Sequence, residues 1–206
     1  MTKVKVCGIT RLEDARKAVD AGADALGFVF YSQSPRYIHP DTARTIIDQV
    51  APFVTPVGVF VNATASTIRR IIKTSRVQVI QLHGEEPPEF CGQFAAKVIK
   101  AFRVRERTDI RKMLSGYHVD AFLLDAYCPD APGGTGRTFS WDVAIEAKRY
   151  GPVILAGGLT PWNVADAIKL VAPYAVDVSS GVESRPGRKD EARIIAFLQR
   201  VRQCNQ

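Results

Sequence analysis

Short runs rich in apolar residues alternate along the chain with segments in which apolar residues recur at helical spacing. The run at 25–30 is unbroken, which suits a strand of a parallel sheet covered by helices. Strands are predicted at 3–7, 25–30, 56–61, 77–82, 97–102, 121–124, 153–156 and 175–178.

Helices are predicted between these strands. Thr10 and Glu13 have the spacing of a capping box, so the first helix is expected to begin at Arg11. The later helices are expected at about 41–50, 66–74, from 87, 108–115, from 141, 161–171 and 190–202.

Eight strand and helix pairs with no composition break predict the α/β class, as a (βα)8 or TIM barrel that forms a single domain over residues 1–206. A doubly wound open sheet is the structural alternative. It is disfavoured because no G-x-G-x-x-G motif follows any strand.

Composition narrows the class of partner. The net charge of +7 favours an anionic ligand, either nucleic acid or a small phosphate or carboxylate compound. No basic run is interleaved with aromatic residues, so no nucleic-acid partner is expected. The chain has no apolar run of ~20 residues and no apolar signal segment, so we expect no membrane partner and a cytoplasmic location.

The four cysteines are widely spaced and form no CxxC pair or Cys/His cluster; they are Cys7, Cys91, Cys128 and Cys204. We therefore expect free thiols and no metal site.

Residues whose side chains can donate or accept a proton follow several strands, and a barrel brings all such positions to one face. Cys7 and Asp125 each come at a strand end, where a thiol and a carboxylate can act as base and acid. The alternatives for these residues are a buried strand cysteine for Cys7 and a turn cap for Asp125. His83 follows the fourth strand and can equally be a loop histidine that bonds to backbone.

Anion-binding groups occur at the same face. Glycines follow the seventh and eighth strands, where barrels often bind phosphate through backbone amides. The predicted phosphate site consists of Gly157, Gly158, Ser180 and Gly181. Arg36, in the loop after the second strand, can hold a carboxylate with two parallel hydrogen bonds. The segment 133–136 adds further free amides after the sixth strand.

Ten motifs, read together and in order, resemble those of the phosphoribosylanthranilate isomerases of tryptophan biosynthesis, over residues 4 to about 190. The motifs are KVCGIT (5–10), GFVF (27–30), SPR (34–36), VGVFV (57–61), QLHG (81–84), LD (124–125), GGTG (133–136), LAGGL (155–159), DVSSGVE (177–183) and GRKD (187–190).

The resemblance implies an Amadori rearrangement of N-(5-phosphoribosyl)anthranilate to 1-(2-carboxyphenylamino)-1-deoxyribulose 5-phosphate. It implies that Cys7 is the general base, that Asp125 is the general acid and that Arg36 binds the anthranilate carboxylate. His83 and Asp177 are expected to contact the substrate. The implied chemistry needs no metal or organic cofactor. The expected partner is the small phosphoribosyl substrate, bound by a monomer or homodimer.

The residues by themselves imply less: a phosphate-binding barrel with a thiol and a carboxylate at its mouth. Two alternatives remain open at this level. One is another phosphosugar enzyme, such as an epimerase or an indole-forming synthase. The other is a non-catalytic binder of polyanions, which the positive charge suggests.

Overall fold

The computed structural model describes residues 1–104, 108–126 and 141–205. Eight parallel strands close into a barrel in sequence order, each paired with the next and β8 with β1. The strands are β1 Lys3–Cys7, β2 Ala25–Val29, β3 Thr55–Phe60, β4 Val79–Leu82, β5 Lys97–Val104, β6 Ala121–Ala126, β7 Val153–Ala156 and β8 Ala175–Val178. The predicted barrel is confirmed. Cys128 and the glycine segment 133–136 lie outside the described residues.

The helices surround the barrel as α1 Leu12–Asp20, α2 Pro40–Ile47, α3 Ala65–Ser75, α4 Pro88–Cys91, α5 Ile110–Leu114, α6 Asp142–Ala147, α7 Val164–Val171 and α8 Glu191–Cys204. A 3₁₀ turn at Ser180–Val182 and a small hairpin, β9 Glu183–Arg185 with β10 Arg188–Lys189, lie between β8 and α8 and were not predicted. No helix within the described ranges is long and apolar enough to cross a membrane.

The predicted capping box at the start of α1 is wrong. The helix begins one residue later than expected, and its N-cap, Arg11, makes no side-chain capping bond. The Thr10 hydroxyl instead donates a 2.6 Å hydrogen bond to the Gly187 carbonyl, in the hairpin between β9 and β10. The Thr10 hydroxyl therefore bonds to a residue distant in sequence rather than to the first turn of α1, because the hairpin lies directly over the β1–α1 loop.

Alternation along the strands separates two apolar cores. In β1, Val4 and Val6 point outward into the larger core beneath the helices, while Lys5 and Cys7 point into the barrel. The middle of the barrel interior is filled by smaller side chains of Val57, Ile99, Ala101, Ala121, Leu123, Ile154, Ala156 and Ala175. Each fully buried ring of the outer core, such as Phe28 or Phe60, stabilises the fold by about 1.5–3 kcal/mol.

A buried ion pair joins two loops at the carboxyl end of the barrel strands to the outer core. Lys100 points outward from β5 and its Nζ lies 2.7 Å from Glu86 Oε2, with both side chains almost fully buried. The Glu86 carboxylate also accepts hydrogen bonds from the backbone N–H groups of Asn62 and Gly84. Burial alone would raise the pKa of Glu86, but these partners lower it. Glu86 therefore holds the β3–α3 and β4–α4 loops together.

We predict that Glu86→Ala lowers the free energy of unfolding by about 3–5 kcal/mol, since it leaves a buried ammonium and two backbone donors without their acceptor. Lys100→Met is expected to cost less, because the two backbone N–H groups still hold the Glu86 carboxylate. Urea denaturation measures both. Glu85→Ala, an exposed neighbour, is the control and should have little effect. A larger loss for Lys100→Met than for Glu86→Ala would contradict this interpretation.

Candidate active site

A cleft of about 420 Å³ opens at the carboxyl ends of the barrel strands. It is lined by all of the residues that the sequence put forward as a site: Cys7, Arg36, His83, Asp125, Gly157, Gly158, Asp177, Ser180 and Gly181. Ser179, which directly follows β8, also lines the cleft, as do Gln81 and Arg103, which the sequence analysis did not name as candidates.

Cys7 lies on the floor of this cleft and is 8% exposed. Opposite it in the β1–β2 register is Gly27, where a Cβ would lie 2.6 Å from the Cys7 sulfur. Only glycine at this position leaves the thiol its space. The thiol is therefore enclosed on the β2 side and accessible from the cleft.

Two charged side chains lie beneath the thiol. Lys5 precedes Cys7 by two residues on the same face of β1, and its Nζ lies 2.9 Å from Asp177 Oδ1 inside the barrel. Burial raises the pKa of the Cys7 thiol, and the Asp177 carboxylate raises it further; the ammonium groups of Lys5 and Lys189 act in the opposite direction but do not overcome burial. Asp177, expected as a substrate contact, is thus the ion-pair partner of Lys5.

Asp125 lies within β6 rather than just beyond it, because the strand continues to Ala126. Its Oδ2 is 3.3 Å from His83 Nε2, and His83 Nδ1 is 3.0 Å from Gln81 Nε2. When the Gln81 amide donates to Nδ1, the proton of the neutral ring is on Nε2 and is donated to Asp125. Both nitrogens of His83 are therefore engaged, and His83 orients the carboxyl group.

Arg103 is a cleft residue that the sequence analysis missed. The predicted fifth strand ended at Phe102, whereas β5 continues to Val104 and pairs Arg103 with Asp125. Alternation along the strand contained the signal, since Arg103 follows the inward-facing Ala101 by two residues.

Arg36 reaches the cleft from the loop after β2. Its guanidinium is held by Glu183, with Nε 2.9 Å from Oε1 and Nη2 2.6 Å from Oε2. The sequence analysis expected Arg36 to hold a carboxylate of the ligand with two parallel hydrogen bonds. One edge is paired within the protein, which leaves the edge formed by Nη1 and the second Nη2 proton.

The glycines after β7 line the cleft in left-handed backbone conformations. Gly157 and Gly158 have φ of 86° and 64°, and in the described part of the chain neither amide donates a hydrogen bond. The space in which a Cβ of Gly158 would point is empty to 4 Å. Gly181 packs so closely on the Leu159 carbonyl that a Cβ would overlap it. The β7 and β8 loops therefore pack directly against one another.

Two polar atoms of the cleft residues are buried without a hydrogen-bond partner among the described residues, namely Gln81 Oε1 and Ser179 Oγ. Buried polar atoms are nearly always satisfied, so each marks a point where water or a ligand group completes the network.

Known proteins share both the sequence and the barrel. A family model described as N-(5'phosphoribosyl)anthranilate (PRA) isomerase matches residues 4–200. The N-(5'-phosphoribosyl)anthranilate isomerase of Geobacter metallireducens is 55% identical over 202 residues, which cover 98% of this chain and all of the relative.

Two solved structures extend the comparison. Phosphoribosyl anthranilate isomerase from Thermotoga maritima superposes with a TM-score of 0.91 at 44% identity, covering 98% of this chain and 100% of that one. A phosphoribosyl anthranilate isomerase in complex with reduced 1-(o-carboxyphenylamino)-1-deoxyribulose 5-phosphate has a TM-score of 0.88 at 42% identity, with the same coverage. Of the functions that the residues left open, these relatives select one. The chain belongs to the N-(5'-phosphoribosyl)anthranilate isomerase family and is an isomerase of tryptophan biosynthesis.

Proposed function

We propose that this isomerase converts N-(5-phosphoribosyl)anthranilate to 1-(2-carboxyphenylamino)-1-deoxyribulose 5-phosphate with Asp125 as general acid and Cys7 as general base. The observation that carries the proposal is that the thiol and the carboxyl line one cleft together with an arginine and free glycine amides. The related enzyme that binds the reduced product supports this choice of substrate.

Asp125 acts first. It donates a proton to the ring oxygen of the furanose, the bond between C1′ and that oxygen breaks, and a Schiff base forms between C1′ and the anilino nitrogen. Asp125 is then a carboxylate, and the Nε2 proton of His83, 3.3 Å from Oδ2, stabilises the new charge. His83 thus acts through the acid rather than on the sugar.

Cys7 acts second. Its thiolate removes the proton from C2′, and the electron pair forms the double bond of an enolamine that tautomerises to the ketone. The positive charge of the Lys5 ammonium favours the thiolate, while Asp177 balances the charge of Lys5. The base is therefore stabilised from below while the substrate approaches from the cleft.

The two anionic ends of the substrate have separate partners in this proposal. The phosphate binds the amides of Gly157, Gly158, Ser180 and Gly181, and the anthranilate carboxylate binds Arg36.

The cytoplasmic location, the single domain, the choice between monomer and homodimer, and the absence of a cofactor stay predictions.

We predict that Cys7→Ser and Asp125→Asn each lower kcat by at least ~10²-fold with little change in KM, because both groups act in the transition state. Turnover of freshly made phosphoribosylanthranilate is followed by its fluorescence, and the product is identified by mass and retention. Lack of turnover by the unmodified protein would refute the reaction. Near-normal kcat in either variant would refute only the role of that residue.

We predict that the Cys7 thiol ionises above the ordinary cysteine value of about 8.5, because burial disfavours the thiolate. The rate of iodoacetamide labelling at Cys7, read by peptide mass spectrometry, should therefore rise with pH to a midpoint above that value. Lys5→Met should move the midpoint up and Asp177→Asn should move it down, with circular dichroism confirming that both fold. Shifts in the same direction would contradict the opposing charges.

We predict that Gly158→Ala raises KM by at least about ten-fold, because its methyl group occupies the open space over the amide where the phosphate binds. Gly116→Ala is a matched control: its φ is also positive, at 85°, and its nearest contact is 3.7 Å away. Both variants should be destabilised by roughly 1–2 kcal/mol, but only Gly158→Ala should bind substrate poorly. Equal KM values would argue against this phosphate site.

A further inference from the structure

Arg36 is held in place before any ligand binds. Glu183 is 6% exposed, and its two carboxylate oxygens accept parallel hydrogen bonds from Nε and Nη2 of Arg36. A guanidinium has five N–H donors in one plane, so this fork uses one edge and leaves a second edge with the same bidentate geometry. Within the described residues, Nη1 on that second edge has no partner.

Glu183 is itself anchored by a buried lysine. Lys189 Nζ lies 2.9 Å from Glu183 Oε1, 2.5 Å from the Cys7 carbonyl oxygen and 3.2 Å from the Ser179 carbonyl oxygen. These three acceptors match the three protons of an ammonium. Burial raises the pKa of Glu183, but the hydrogen bonds from Arg36 and Lys189 lower it by more. The pKa of Glu183 is therefore below its ordinary value, and the carboxylate stays ionised.

The backbone around Glu183 is also fixed. Its carbonyl accepts a 2.6 Å hydrogen bond from Arg193 Nη1 of α8. Lys189 N donates to Asp14 of α1 at 3.1 Å. The backbone of Glu183 and Lys189 is therefore held by α1 and α8, while the Glu183 carboxylate itself is held by Arg36 and Lys189. Arg36, Glu183 and Lys189 together carry one net positive charge, which a single carboxylate neutralises.

We propose that Glu183, anchored by Lys189, is a positioning residue that presents the free edge of Arg36 to the anthranilate carboxylate. This inference rests on the proposed function of the cleft. A fixed guanidinium loses little conformational freedom when it binds a planar carboxylate, whereas a mobile one must first be ordered. Arg36 and Glu183 are 147 positions apart in the sequence, and their contact orients the free donor edge of Arg36 before the ligand binds.

The test compares two probes on each variant: reduced 1-(o-carboxyphenylamino)-1-deoxyribulose 5-phosphate and the same compound without its carboxyl group. Glu183→Gln keeps the side-chain size, but an amide offers one acceptor and one donor and cannot receive both Arg36 protons. We expect it to weaken binding of the carboxylate probe about ten-fold and of the other probe less than about two-fold. A purely structural role would weaken both equally.

Three further variants complete the design. Glu183→Asp keeps the charge on a shorter side chain and should restore part of the discrimination, that is, the preference for the probe that has the carboxyl group. It is also the variant to test if Glu183→Gln does not fold. Glu146→Gln, on the exposed face of α6, is the matched control and should bind both probes normally. Arg36→Ala should lose the discrimination entirely.

The outcomes separate the two proposals. If Arg36→Ala still discriminates between the probes, the proposed carboxylate contact and the role of Glu183 are both overturned. If Arg36→Ala loses discrimination while Glu183→Gln retains it, only the positioning role is overturned. Tighter binding of the carboxylate probe by Glu183→Gln would also overturn it, because Glu183 would then be competing with the ligand.

Discussion

Closure of the sheet between β1 and β8 is the constraint on which the cleft depends. Inside the barrel, Lys5 and Asp177 face one another in register and form an ion pair 2.9 Å long. At the rim, the Lys189 ammonium contacts the carbonyl oxygens of both Cys7 and Ser179. A closed barrel has no free edge, so fixing this seam fixes the strand register around the ring. The Cys7 thiol, at the end of β1, is thereby held in place next to β8 and the hairpin that follows it.

Two buried lysines close to a thiol create a balance between opposing electrostatic effects. Burial of Cys7 favours the neutral thiol, while Lys5 and Lys189 favour the thiolate. Each ammonium is itself costly to bury, and each is paired with one carboxylate, Asp177 or Glu183. The interior is thus able to hold positive charge near the sulfur without leaving an unpaired charge in the core. These four side chains lie on β1, β8 and the hairpin, so the seam and the base share one network.

Side-chain chemistry at strand ends was predictable because parallel strands in a barrel end at one face. Cys7, His83 and Asp125 needed only the strand pattern to be placed at the mouth. Arg103 was missed because the apolar run ends at Phe102, while the strand itself continues through two more residues. Thr10 was assigned to a helix cap because its local spacing suits one; a carbonyl from the hairpin offered a better acceptor.

The sequence by itself determined the order of strands and helices, since alternating apolar runs and helical spacing are local properties of the chain. Its motifs also indicated the family, because many short patterns in a fixed order are specific where one is weak. Only the tertiary structure decided which charges meet. Arg36 pairs with Glu183 across 147 residues, and Lys189 reaches the Cys7 carbonyl across 182. Such pairs leave no periodic signal, because barrel closure rather than sequence spacing brings the two partners together.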